Sequence, residues 1–395
     1  MVSVEEALKL IEENLDRLPA IEVAVDDFEG AILAEDVHSP INMPPFNQSA
    51  MDGYALNYSE DVSSYEVIGE VAAGSAELFE LKTGQAVRIF TGAAVPASAN
   101  TVVKQEIVIR EGNSISMEEP ISMGQNIRPK GEQIQSGELA LPTDSELNPA
   151  AVGFLTGLGI DRLKVFRRPK ISVIATGDEL VKPGTDLQHG QIYESNSFML
   201  TAVLSNYKYT DYKVERVEDD YELTKTAIEG AFANSDVIIL SGGISVGDHD
   251  YVGKVLNDLE VQRLFYKVNQ KPGKPVFFGK KDKKLIFALP GNPAAAMTSF
   301  YTYILPALNY ISGKKFEGLR PSVARITSDF ESPSGRALFL KASVTGDEVA
   351  ILDGQSSAML RSFSYANALV YVPSTTNHIS KGDNVQVMMI YKVHY

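Results

Sequence analysis

The spacing of apolar residues changes repeatedly along this chain, and each change predicts a different kind of structure. Val4, Ala7, Leu8, Ile11, Leu15 and Leu18 recur at helical spacing among acidic residues, so the chain opens on an amphipathic helix. From the Pro-rich turn at Met43 to about Leu141 the apolar runs shorten to Val67-Ile68, Ala86 to Phe90 and Ile107 to Ile109. Gly74, Gly84, Gly112, Gly124 and Gly131 cut them, the pattern of a β-rich segment. The helix-like stretch Pro149 to Leu155 then predicts that the first region resumes. Residues 1–42 and 142–168 are read as one domain, with 43–141 inserted into it.

Between 169 and 313 the pattern alternates. Ile171 to Ala175, Asp236 to Leu240 and Leu285 to Leu289 are nearly continuous apolar runs. Helical stretches lie near Ser197 to Asn206, at Glu222 to Phe232 and after Asn292. Runs apolar on both faces predict parallel strands covered on both sides, hence a doubly wound α/β domain. Residues 314–395 return to short β runs with turn residues, which predicts a small barrel or sandwich. The expected fold class is therefore α/β plus β: a central doubly wound domain, a β-rich insertion near the N-terminus, and a C-terminal β-barrel-like domain.

Composition narrows the chemistry. Of 395 residues, 44% are hydrophobic, enough for several cores. The formal net charge of -15 disfavours a nucleic-acid backbone or an anionic membrane as a bulk partner. With no cysteine, thiolate metal sites and cysteine nucleophiles are excluded, and five scattered histidines without an HExxH pattern make a zinc hydrolase a poor reading. The N-terminus lacks a basic-then-apolar stretch, and Phe300 to Ile311 is too short to span a bilayer and contains Pro306. A soluble, cytoplasmic protein is expected.

Ligands of open parallel sheets sit beyond the carboxyl ends of the strands. Three polar motifs follow the three apolar runs: Thr176-Gly177-Asp178-Glu179-Leu180, Ser241-Gly242-Gly243-Ile244-Ser245 continuing to Asp248-His249-Asp250, and Leu289-Pro290-Gly291-Asn292-Pro293. Gly242 and Gly243 let backbone N–H groups face an anion, with Ser241 and Ser245 adding hydroxyls. Pro290 to Pro293 opens a helix whose N-terminus presents N–H groups and positive dipole. Asp178, Glu179, Asp248 and Asp250 are hard oxygen donors suited to Mg²⁺, with Asp178 and Asp250 the chosen metal ligands. Any one motif alone reads better as an ordinary turn; three on one rim read as a site. Lys267, Lys271 and Lys274 add a basic island, with Lys271 and Lys274 flanking the stiff Pro272-Gly273 turn, and suit a phosphate or oxyanion. Lys280, Lys281, Lys283 and Lys284 are read as a solvated face.

In this order, and with Ser49-Ala50-Met51-Asp52-Gly53-Tyr54-Ala55 and Arg88-Ile89-Phe90-Thr91-Gly92-Ala93-Ala94-Val95-Pro96 ahead of them, these segments resemble the molybdopterin molybdenumtransferase family, which includes the E domain of gephyrin. Ile192 to Asn196 and Tyr266 to Pro275 extend the likeness over essentially the whole chain. The resemblance implies an elongated four-domain subunit in a homodimer. It implies that adenylylated molybdopterin and molybdate give molybdenum cofactor and AMP with a divalent cation, and that the adenylyltransferase and molybdoenzyme-loading proteins are partners. It carries roles over to Asp52, Thr91, Asp178, Glu179, Asp220, Asp250, Lys267, Lys271, Pro290 and Pro293. Arg336 and Ser357 would come from the C-terminal domain, from the same chain or across the dimer.

The chain departs from the family pattern at Ala97 to Thr101, which includes Asn100, at Gln133, at Lys341 where Arg is frequent, and at Ala358 where the family has His. The Lys341 change is expected to weaken a planar oxyanion contact, since Lys lacks the fork of Arg. Competing readings are the molybdopterin adenylyltransferase, which needs only the α/β region, a clustering scaffold, and a pterin-binding paralogue without turnover.

Overall fold

A computed structural model describes residues 1–26, 30–244, 251–332 and 335–390. The chain forms two compact units, one of Met1–Ile21 with Val165–Tyr395 and one of Glu22–Lys164.

The smaller unit is built on a six-stranded sheet. Its order is Thr101–Lys104, Gly53–Leu56, Gln85–Ile89, Ser64–Val71, Ser114–Met117 and Val108–Glu111. The short apolar runs form these strands because one face closes over Ala55, Val71, Val87, Ile89 and Val102, and the other over Tyr54, Leu56, Tyr65, Ala86 and Val103. Asn100, one of the departures, hydrogen-bonds both ways with Tyr58: its Oδ1 accepts from the Tyr58 N–H at 2.8 Å and its Nδ2 donates to the Tyr58 carbonyl at 3.0 Å.

In the larger unit a six-stranded mixed sheet runs Tyr212–Val217, Ile171–Thr176, Val237–Ser241, Lys284–Leu289, Phe277–Lys281, Gln262–Phe265. The first four are parallel and the last two antiparallel. Alternate residues serve opposite cores. Val173, Ile239 and Phe287 pack with helix Asn196–Asn206 and with the helical run that starts at Pro293. Ile174, Leu240 and Ile286 pack with helices Tyr221–Asn234 and Tyr251–Asp258. The expected doubly wound arrangement is present.

The opening helix Val4–Glu12, held by a Ser3–Glu6 capping box, buries Val4, Ala7 and Ile11 in this same core rather than with residues 142–168. Residues 300–311 remain helical through a π turn, Phe300–Ile304, followed by Leu305–Ile311. Among the described residues no helix is long and apolar enough to cross a membrane.

The C-terminal region is a closed barrel. Ala337–Thr345 pairs with both Glu348–Ile351 and Ala368–Val372, and Arg320–Ile326 and Asn384–Met389 complete the ring around Ala342, Val349, Val370 and Val387. A two-residue strand, Gln270–Lys271, adds to Ala337–Thr345 from outside the ring. Two of the four lysines read as a solvated face are tied down: Lys280 Nζ donates to the Asn14 carbonyl and Asp16, and Lys281 Nζ to the Leu259 carbonyl, while Lys283 is exposed.

Candidate functional site

Parallel register brings the three motifs to one rim. Ala175 lies opposite Ser241, and Ser241 opposite Leu289, so the chain leaves all three strands at one level. Beyond them is a cleft of about 630 Å³ lined by Thr176, Gly177, Glu179, Asn196, Asp219, Ser241, Gly242, Gly243, Pro275, Pro290 to Pro293, and Ala358, among others. Glycine is required at the floor. Gly242 has φ +97°, and a Cβ there would stand 2.4 Å from the Thr176 carbonyl oxygen.

Asn196 ties the rim together. It is fixed because the short parallel pair Leu180–Val181 and Ile192–Tyr193 sets its segment beside the Thr176 loop. Its Nδ2 donates to Ser241 Oγ at 2.9 Å and to the Gly291 carbonyl at 2.8 Å. Both amide hydrogens are therefore used, while the buried Asn196 Oδ1 has no hydrogen-bond partner among the described residues, and neither has Thr176 Oγ1. Such atoms are costly unless something else satisfies them, so they offer an acceptor and a hydroxyl to a polar ligand. Neither residue was named as a site residue from the sequence, although Thr176 opens the first polar motif and Asn196 ends the Ile192 to Asn196 segment.

The carboxylates divide. Glu179 and Asp219 line the cleft, whereas Asp178 accepts the Asp219 N–H at 2.8 Å and so buttresses that wall. Asp220 is the N-cap of Tyr221–Asn234, its Oδ1 accepting from the Leu223 N–H at 2.9 Å; its neighbour Asp219 faces the cleft instead. Ser245, Asp248, His249 and Asp250 lie outside the described residues. Among those described, no group of three or more acidic or histidine side chains could hold a metal ion.

The barrel closes one side. Asn292 Nδ2 donates to Ser357 Oγ at 3.1 Å, and the Ala295 N–H donates to the Ser357 carbonyl at 3.2 Å. The helix start is thus already shared with the barrel loop, which takes one of the N–H groups expected there. Arg336 is exposed and immediately precedes Ala337, which pairs with Gln270 next to Lys271. Ser357 therefore reaches the cleft wall within one chain, and Arg336 stands next to the residue that pairs with Gln270. Ala358 puts a methyl group on the cleft wall.

Lys341 corrects another expectation. It is 2% exposed, and its ammonium donates to the carbonyls of Gly354 at 2.6 Å, Ser356 at 3.2 Å and Met359 at 3.0 Å. It is a buried strut for the loop that carries Ser357, not an oxyanion contact, and burial holds its pKa below the usual lysine value. Lys271 and Lys274 are exposed on a turn that reaches the cleft through Pro275, and the Lys267 ammonium lies over the Tyr266 ring at 5.2 Å.

In the smaller unit Asp52 and Thr91 meet, as the pairing of Gly53 with Ile89 requires. Asp52 Oδ1 accepts from the Thr91 N–H at 2.7 Å and from its hydroxyl at 2.8 Å. These two bonds hold the carboxyl below the usual aspartate range, and the nearby Arg88 guanidinium acts in the same direction. Gln133 is exposed.

Known proteins resemble this arrangement along the whole chain. Residues 2–159 match the MoeA N-terminal region (domain I and II), 172–310 a probable molybdopterin binding domain, and 323–390 the MoeA C-terminal region (domain IV). A Staphylococcus epidermidis protein named molybdopterin molybdenumtransferase is 32% identical, over 98% of this chain and 95% of its own length. A Haemophilus influenzae protein of the same name is 34% identical over 90% of both. The crystal structure of a molybdopterin biosynthesis MoeA protein from Pyrococcus horikoshii superposes with a TM-score of 0.84 at 32% identity, covering 99% of each chain. Sequence, fold and rim together place this chain in the molybdopterin molybdenumtransferase family.

Proposed function

We propose that this protein transfers molybdenum from molybdate to molybdopterin presented as its adenylylated form, releasing AMP. The observation that carries the reading is the convergence of the Thr176, Ser241 and Leu289 strand ends on one cleft whose floor is backbone and whose side is a lysine-bearing turn. The Gly243 N–H and the positive end of the helix at Pro293 suit the anhydride phosphates, while the Gly242 N–H already donates to the Leu289 carbonyl at 3.2 Å and holds the floor. Asn196 Oδ1 suits an N–H or O–H of the pterin or nucleotide. Lys271, Lys274 and Arg336 attract molybdate, a dianion, with Lys267 behind them, and Ser357 adds a hydroxyl. Asp52 and Thr91 act in the same reaction from the smaller unit.

Mg²⁺ fits the donor chemistry here. It binds through one or two carboxylates plus substrate phosphates, and Glu179 and Asp178 are hard donors at the rim, with Asp250 the further proposed ligand. Bound there, it would neutralise phosphate charge. The working species is a homodimer in the cytoplasm, fed by the adenylyltransferase and serving molybdoenzyme-loading proteins.

Incubation with adenylylated molybdopterin, Mg²⁺ and molybdate should release AMP in proportion to pterin consumed. Tight pterin binding with no AMP would overturn this reading in favour of a paralogue without turnover.

A further inference from the structure

The segment Lys267 to Pro275 carries the basic island, and its backbone is pinned from two sides. The Val2 N–H donates to the Lys267 carbonyl at 2.9 Å, and the Asn269 N–H returns to the Val2 carbonyl at 2.8 Å. On the barrel side the Ala337 N–H donates to the Asn269 carbonyl at 3.0 Å, and Gln270 and Lys271 pair with Ala337 and Leu338. These anchors hold Lys271, and the Val268 N–H closes the base of the turn on the Lys274 carbonyl at 3.0 Å, but none of them reaches Pro272 and Gly273, which separate the two lysines.

The turn is held from inside by Gln270, whose side chain is fully buried. Its Nε2 donates to the Pro272 carbonyl at 3.0 Å and to the Gly273 carbonyl at 3.1 Å. Its Oε1 accepts the hydroxyl hydrogen of Tyr303. Both amide hydrogens are thus used, and the two carbonyls, which can only accept, decide that the nitrogen end of the amide faces the turn. The Tyr303 hydroxyl, able to donate or accept, then donates to the oxygen end. Were the amide reversed, its oxygen would face two carbonyl oxygens. Tyr303 sits in the π turn of the same helical run that begins at Pro293 on the cleft wall. Gly273 is pressed onto that run: a Cβ there would lie 2.9 Å from Ser299 Oγ.

We propose that Gln270 and Tyr303 are a positioning pair that fixes the lysine turn relative to the cleft and thereby sets the affinity for the oxyanion substrate. This rests on the reading of Lys271 and Lys274 as molybdate attractors. Their ammonium groups are on long flexible stems, so their useful geometry comes from the backbone of the turn. The pair touches no substrate and acts through the lysines.

The test is the molybdate dependence of AMP release at saturating adenylylated pterin. The variants are Tyr303→Phe, the combination Gln270→Met with Tyr303→Phe, and the combination Lys271→Ala with Lys274→Ala. Tyr303→Phe leaves a buried amide oxygen without its donor and is expected to lower the melting temperature. The Gln270→Met/Tyr303→Phe variant removes that orphaned oxygen but leaves the Pro272 and Gly273 carbonyls without their donor, so its melting temperature should also stay below that of the parent. A positioning role predicts that its half-saturating molybdate stays raised about tenfold, with kcat and pterin affinity within about twofold of the parent. A molybdate dependence at the parent value in spite of the lowered melting temperature would show a purely structural pair and overturn the proposal. If that combination does not fold, Tyr303→Phe alone is read for the same separation of KM from kcat. A raised molybdate requirement in the lysine variant with none in the pair variants sinks the pair alone. No change in the lysine variant sinks the reading of the lysines and the pair with it.

Discussion

The cleft of the α/β part and the Asp52–Thr91 pair of the smaller unit place charge-handling groups in different ways. The cleft is assembled from loops far apart in sequence and floored by backbone, with φ +97° at Gly242 and amide links such as Asn196 to Gly291. Asp52 and Thr91 are two side chains set side by side by strand register, with one carboxylate oxygen taking both Thr91 donors. A backbone site is vulnerable to any added atom, even an apolar one, while a side-chain site is vulnerable to deletion and tolerant of its surroundings. The two should therefore fail differently under mutation.

The largest effect is expected from Gly242→Ala. The new methyl would meet the Thr176 carbonyl at 2.4 Å in a backbone conformation that side chains disfavour. AMP release should fall by at least about a hundredfold, since displacements near 1 Å carry that cost. Retained turnover would mean that the floor is not built as described.

Next is Asp52→Ala, expected to lower turnover about a hundredfold with an unchanged melting curve. Because hydrogen bonds to Thr91 depress the Asp52 pKa, its ionised form persists below the ordinary aspartate range and is lost only as pH falls through the depressed value. Thr91→Ala keeps the backbone donor and removes the hydroxyl. Any acid limb due to Asp52 should then move part of the way up toward the ordinary value in a pH–rate profile, and an unmoved limb would dissociate the pair.

The smallest effect should come from Lys341→Met. It leaves three carbonyls without their common donor and should cost about 1–3 kcal/mol in denaturant titration, with only a few-fold change in turnover. A large loss of turnover without loss of stability would mean that Lys341 belongs to the site after all.

The strands were legible because Ile171 to Ala175, Asp236 to Leu240 and Leu285 to Leu289 must be apolar on both faces to lie between two helix layers. Once parallel order is assumed, the shared rim follows. Legibility stopped where function depends on single hydrogen bonds between distant residues. Asn196 meets Gly291 across 95 positions, and Gln270 meets Tyr303 across 33, with nothing in either local pattern to announce the partner. Lys341 misled for a related reason. Standing where the family pattern has Arg, it read as a weakened oxyanion contact, and its burial depends on a loop that presents three carbonyls. The opening helix was recognised by its periodicity, but periodicity says that a face is covered and not by what.

A ring of strands ordinarily makes a portable module, because a closed barrel offers no edge to a neighbour. Here Gln270–Lys271 is laid against the outside of that ring. A C-terminal barrel borrowed from another sequence would have to match not only in its own interior but at that short seam. A chimera joined near Gly318 with a mismatched seam could fold both parts correctly and still leave the lysines in the wrong place.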